Sequence, residues 1–138
     1  MSIRRRMLAW SNQFGVWLYR RTSGAAGGGA AKVLVLTVPG RRTGIPRSTC
    51  MAYVETPGGL LVWGSASGAS SDPDWFRNLR AAERAEIQVG TQHRTVTPHE
   101  LRGSERAEAW RLILSTRPNV ARYERKAGRT IPVALLAD

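Results

Sequence analysis

The chain has 138 residues, 42% of them hydrophobic, enough for one domain with a buried core and too apolar for disorder over most of its length. Lys and Arg number 21 against 10 Asp and Glu, a formal charge of +11, and every cation except Lys32 and Lys126 is an arginine. A lone Cys50 excludes an internal disulfide framework and fits a reducing cytoplasm, two distant histidines offer no metal-ligand spacing, and no run of about 18 apolar residues spans a membrane. The positive field favours an anionic partner: nucleic acid, an anionic membrane surface, or a small molecule bearing phosphate or carboxylate.

Residues 1–31 read as an amphipathic helix followed by a Gly/Ala-rich link. Ile3, Met7, Trp10, Phe14, Trp17 and Leu18 fall on one stripe with arginines at both ends. The stripe has two readings. It packs on the domain's own core, or residues 2–21 lie on an anionic membrane or over a ligand pocket. Ser11, Asn12 and Gln13 interrupt the apolar run, which argues against a cleavable secretory signal.

From Lys32 the pattern changes to short strands, predicted at 32–39, 47–55 and 60–65, with the turn "TPGG" between the last two. "DPDWFRNLRAAE" (72–83) predicts a helix with Asp72 as N-cap and Pro73 at its first position. Residues 85–101 read as a hairpin turning at Gly90-Thr91, with His93 and His99 as surface residues. A helix capped by Ser104 follows, Pro118 starts another through about Lys126, and "TIPVALLA" (130–137) closes the chain as a sixth strand. The expected fold is mainly β with α: about six antiparallel strands in a small closed or split β-barrel with flanking helices, over residues 32–138. No feature of the sequence selects an oligomeric state.

The chemistry concentrates in "GRRTGIPR" (40–47), which places three arginines and two glycines in one connection between strands. No Gly-Lys-Ser/Thr follows the glycines, so it is not a P-loop. No aromatics interleave with its arginines, so it does not resemble a base-stacking surface, and no nucleic-acid partner is expected. The composition is that of an anion clamp, because guanidinium presents a rigid fork of donors to phosphate or carboxylate. Each hydrogen bond to a charged group contributes roughly 1.5–3 kcal/mol net, so two or three of them supply much of the ~8 kcal/mol of micromolar binding.

"GRRTGIPR", the strand after it, "SASGASSDPDWFRNL" (65–79) and "GRTIPV" (128–133) together resemble the deazaflavin-dependent nitroreductase family of actinobacterial reductases, over about residues 32–136. The resemblance implies a split barrel that binds coenzyme F-420, an 8-hydroxy-5-deazaflavin whose tail carries phosphate and several glutamates. It puts Arg41, Arg42, Thr43 and Arg47 on that tail and lays Ser48, Thr49, Cys50 and Met51 along the ring. Gly64, Ser65 and Ala66 approach the ring from the next strand, with Trp75 and Asn78 on the following helix. It implies hydride transfer to an electron-poor small molecule, such as an α,β-unsaturated ester or lactone or a nitroaromatic. Tyr123 is then the first candidate for proton donor, and Ser65 the second, as an oxyanion donor.

This chain departs from the family pattern at Cys50, where proline is usual, and at Ala66, where lysine is usual. Ala52, Arg117 and Val120 stand where relatives carry tyrosines, which implies a more open substrate side and weighs against nitroimidazole reduction. Two other classes remain open on the sequence: a split barrel holding FMN as an oxidase, and a non-enzymatic basic module for membrane or nucleic acid.

Overall fold

Alternation along the first strand sets up the architecture: Leu34, Leu36 and Val38 point to one face, and Val33, Val35 and Thr37 to the other. The computed structural model describes residues 32–138, and the amphipathic helix and link expected over 1–31 lie outside them. The strands are β1 (Val33–Pro39), β2 (Pro46–Ala52), β3 (Val54–Thr56), β4 (Gly59–Trp63), β5 (Ala85–Val89), β6 (Gln92–Glu100) and β7 (Val133–Ala137). The helices are α1 (Asp74–Ala81), α2 (Gly103–Thr116) and α3 (Val120–Ala127), and a short 3-10 turn covers Ala66–Gly68. All strand pairings are antiparallel, in the order β2-β1-β5-β6-β7-β4-β3.

β2 and β3 are the two ends of that order, yet Tyr53 alone separates them in the chain. A single residue advances the chain only about 3.3 Å, so the sheet has to curl until the end of β2 lies beside the start of β3, without the two strands pairing. The result is the expected split barrel, with seven strands rather than six. The predicted strand 47–55 breaks because Tyr53 turns inward, buried in the barrel core, while its N–H bonds Lys32 O at 3.1 Å. β6 joins the two halves: Val96 and the residues before it pair with β5, and Thr97 onward pairs with β7. The pairings of β1 with β5 and of β4 with β7 are non-local, so the sheet is not a simple meander.

Leu34, Leu36, Val38, Leu60, Val62, Ile87, Val96 and Leu136 fill the barrel, and α1 plugs it with Phe76 and Leu79. Both side chains are essentially inaccessible, and burial of each stabilises the fold by ~1.5–3 kcal/mol. A second cluster, Leu61, Val133, Trp110, Ile113 and Val120, packs α2 and α3 on the outer face of β4 and β7. The hairpin at Gly90-Thr91 and the exposed His93 and His99 are as expected.

The helix starts differ from expectation. Pro73, not Asp72, is the N-cap of α1, and Arg102, not Ser104, that of α2; neither makes a side-chain cap bond. Asp72 is drawn away from the cap by two arginines, and Ser104 already lies inside the first turn of α2. α3 begins at Val120 after Asn119 rather than at Pro118, and the last strand starts at Val133.

Candidate coenzyme and substrate site

The β1–β2 ladder runs to Pro39↔Pro46, so the arginine loop is a short, tightly bonded connection. Gly40 N–H donates to Ile45 O at 2.9 Å, Gly44 N–H to Gly40 O at 2.8 Å, and Ile45 N–H to Thr43 Oγ1 at 3.2 Å. Its arginines do different jobs. The backbone N–H and Nη1 of Arg41 both donate to Asn78 Oδ1, at 3.1 and 2.8 Å, and Nη2 lies 3.5 Å from Asp74 Oδ1. Asn78 is buried, so its amide oxygen needs that partner, and Arg41 becomes the anchor of the loop on α1. The side chains of Arg42 and Arg47 are exposed and make no ion pair or hydrogen bond among the described residues. Their donor forks are free for a ligand, as the phosphate and glutamates of an F-420 tail require.

β2 follows the loop and has no strand neighbour on its outer edge among the described residues. Its side chains split between two faces. Thr49 and Met51 share the core side with their partners Leu36 and Leu34, whereas Ser48 and Cys50 share the opposite side with Thr37 and Val35. Ser48 Oγ and Thr37 Oγ1 are 2.8 Å apart. A flat ring laid along β2 therefore meets side chains of one face only, and backbone along the strand edge. Burial pushes the Cys50 thiol up from its ordinary value, leaving it a neutral, poorly nucleophilic group at neutral pH.

β4 leads into the turn at 64–69. Gly64 N–H donates to Pro132 O at 3.0 Å, and a Cβ on Gly64 would lie only 3.1–3.2 Å from Pro132, Phe76 and Pro73. A side chain at this position would have to push those three rings back by a few tenths of an ångström. Ser65 is right-handed (φ −73°, ψ −29°), but Ala66 (φ 46°) and Ser67 (φ 55°) are left-handed without being glycine, and Gly68 follows at φ 86°. Left-handed Ala and Ser cost on the order of 1–3 kcal/mol each and persist only where the surroundings enforce them. Gly68 and Ala69 N–H groups turn back onto Ser65 O and Ala66 O, at 2.9 and 3.1 Å. Those of Ser65, Ala66 and Ser67 make no hydrogen bond among the described residues. A right-handed residue followed by left-handed ones aims successive N–H groups into a concavity suited to an anion or a polarised carbonyl.

Two elements flank the turn. On α1, Trp75 is half-buried against the barrel core, tilted 59° to Phe76 with ring centroids 5.3 Å apart. On α3, the stem of Lys126 packs over Gly68, and Tyr123 stands one turn earlier on the same side. Tyr123 is half-buried, and its hydroxyl makes no hydrogen bond among the described residues. Thus α1 links the two predicted parts of the site: Asp74 and Asn78 hold the arginine loop, while Pro73 and Phe76 back Gly64. Val120, expected to widen the substrate side, is instead buried between α2 and α3, and Arg117 donates to Lys32 O at 3.1 Å.

The residue that sequence reading missed is Arg129. Nε donates to Ala69 O (3.0 Å), Nη1 to Asp72 Oδ1 (2.6 Å), and Nη2 to Gly64 O (3.0 Å) and Ser71 O (2.9 Å). Asp72 in turn bonds Arg80, which pairs with Glu100 at 2.7 Å; Glu100 chiefly, then Asp72, holds the Arg80 guanidinium above its usual range. The motif "GRTIPV" flagged this stretch, but nothing in the sequence shows which carbonyls an arginine there would reach. Among the described residues no cluster of His, Cys, Asp or Glu could hold a metal ion, and no helix is long and apolar enough to cross a membrane.

Residues 11–138 match the model of the family described as F420H(2)-dependent quinone reductase. An F420H(2)-dependent quinone reductase of Mycobacterium tuberculosis is 31% identical over 125 residues, covering 86% of this chain and 84% of the relative. The solved structure of an F420-H2 dependent reductase superposes with a TM-score of 0.69 at 29% identity, covering 76% of this chain and 93% of the other. A chain solved as a domain-swapped dimer gives 0.71 at 28% identity, covering 90% and 93%. These matches select the deazaflavin reading over an FMN oxidase or a non-enzymatic basic module: the chain belongs to the F420H(2)-dependent quinone reductase family and is an oxidoreductase dependent on coenzyme F-420.

Proposed function

We propose that this enzyme reduces a small conjugated carbonyl compound, a quinone in the first instance, with α,β-unsaturated esters and lactones as acceptors of the same chemistry. The observation that carries the reading is the division of labour in the arginine loop. Arg41 is spent on Asn78 and Asp74, while Arg42 and Arg47 keep their donors free beside an open strand edge. The coenzyme's tail takes those two guanidiniums and the Thr43 hydroxyl, and its ring lies along residues 48–51 with Gly64, Ser65 and Ala66 at its border. The quinone comes from what the family and the Mycobacterium tuberculosis relative are described as reducing.

Reduced F-420, when bound, supplies the hydride. The protein's residues provide the rest. Trp75 and the barrel mouth shield the reacting faces from water. The N–H groups of Ser65, Ala66 and Ser67, with the Ser65 hydroxyl, stabilise the substrate oxygen on which negative charge develops. Tyr123 gives that oxygen its proton and regains one from solvent, so that hydride plus proton converts a quinone to its hydroquinone.

The test is spectrophotometric: reduced F-420 and the full-length enzyme are mixed with a soluble naphthoquinone, a conjugated lactone or a nitroimidazole, and formation of oxidised coenzyme is followed. Turnover is expected with the first two and slower turnover with the third, since Ala52 supplies no tyrosine hydroxyl. Faster reduction of the nitroimidazole would overturn the substrate assignment.

A further inference from the structure

We propose that Arg129 is a positioning residue of the coenzyme site, holding the 64–69 turn in the left-handed shape that presents Ser65 and Ala66. The inference rests on the reading that this turn borders the deazaflavin ring. Three observations support it. First, Ala66 and Ser67 occupy backbone conformations that side-chain-bearing residues rarely adopt, so something outside the turn has to enforce them. Second, one guanidinium, mostly buried (15% exposed), bonds carbonyls at both ends of the turn, Gly64 O at its start, Ala69 O at its end and Ser71 O just beyond. Tying both ends fixes the span that the intervening residues must bridge. Third, the guanidinium is itself fixed by Asp72 at 2.6 Å, and Asp72 is held through Arg80 to Glu100 on β6. The turn is thus referenced to the barrel wall.

Every hydrogen bond that Arg129 makes goes to Asp72 or to a carbonyl of residues 64–71, so its effect passes through the turn. Lysine cannot replace it, because a single ammonium lacks the planar fork that reaches Ala69 O and Gly64 O together. Arg129→Lys in the full-length enzyme is therefore expected to retain the pairing with Asp72 and to fold. At saturating coenzyme its kcat should fall about tenfold or more, with bound F-420 fluorescence shifted from that of the parent. A purely structural role predicts a lower Tm with kcat per folded molecule and the bound-coenzyme spectrum unchanged, and that result overturns the proposal. If Arg129→Lys does not fold, Asp72→Asn loosens the same guanidinium at its shortest contact. It should lower kcat about threefold or more; parental turnover in folded Asp72→Asn would also overturn the proposal.

Ala66→Trp separates this inference from the reading beneath it. If the bulky ring leaves F-420 affinity unchanged, the turn does not border the coenzyme and both fail. If it abolishes binding while Arg129→Lys behaves as the parent, the site stands and only the role of Arg129 falls.

Discussion

The arginine loop and the 64–72 turn both face the coenzyme in the proposed site, but they are built in opposite ways. The loop is local: its hydrogen bonds close within residues 40–45, and only Arg41 reaches out, to α1. The turn is strained and held from a distance, by Arg129 some sixty residues on, by Pro132 O and by the stem of Lys126. An electrostatic clamp for a flexible polyanionic tail tolerates mobile, exposed side chains, because charge attraction acts over several ångströms. A surface that places a reacting oxygen does not, since small displacements at the reacting centre cost large factors in rate. The difference between the two regions is the difference between binding and orientation.

Tyr123→Phe tests the orientation side with the largest expected effect. Coenzyme affinity should be retained, since the clamp is elsewhere, while turnover falls by roughly 10²–10⁴-fold if this hydroxyl carries the proton. Tm and single-turnover rate on the same preparation separate this from lost packing. A full-speed variant would leave solvent as the acid and confine the turn's role to placement.

Replacing both Arg42 and Arg47 with alanine tests the binding side. F-420 affinity should drop at least about tenfold, or ~1.4 kcal/mol, and the parent's affinity should itself weaken as salt rises. By contrast, Arg41→Ala should lower Tm modestly, because it removes one of the two donors to the buried Asn78 oxygen, the side-chain one, at a cost of about 1 kcal/mol, while the backbone N–H of residue 41 remains. Equal effects of all three arginines on affinity alone would erase the division of labour drawn here.

Gly68→Ala probes the strained turn without touching charge. The new methyl meets Lys126 carbons at 2.8–3.0 Å in a backbone at φ 86°, so stability should fall by about 1–3 kcal/mol in chemical denaturation. An unchanged midpoint would mean the turn relaxes freely and needs no external support.

Cys50 gives the smallest effect. Burial raises its folded-state pKa above the ordinary 9.0, so the folded chain holds this proton to higher pH than the unfolded chain does. That stability is present below pH 9.0 and lost as pH climbs through the folded value. The parent should therefore lose Tm more steeply above pH 9.0 than Cys50→Ser does, and parallel curves would place the thiol in water.

Much of this was legible along the chain. The alternation in β1, the Gly90-Thr91 hairpin and the apolar spacing of α1 follow from local periodicity, and a small barrel, closed or split, follows from short strands with helices between them. The arginine loop was legible because its chemistry is contained in eight consecutive residues. What the sequence could not assign was which arginine anchors the loop and which keeps its donors free. Arg41 and Arg42 are adjacent and identical, and only the docking of α1, with Asn78 buried beneath the loop, distinguishes them. Asp72 carries the local signature of a helix cap and instead pairs with Arg80 in the last turn of α1 and with Arg129, 57 residues on, a partner that only the closed fold brings within reach. Tyr53 reads as mid-strand and becomes the seam where the curled sheet meets itself. Propensity, periodicity and composition act between neighbours in sequence, so they determined the elements and the charge of the clamp. Strain at Ala66 and Ser67, and the guanidinium that holds it, depend on groups brought together only when the barrel closes, and so the tertiary structure decided them.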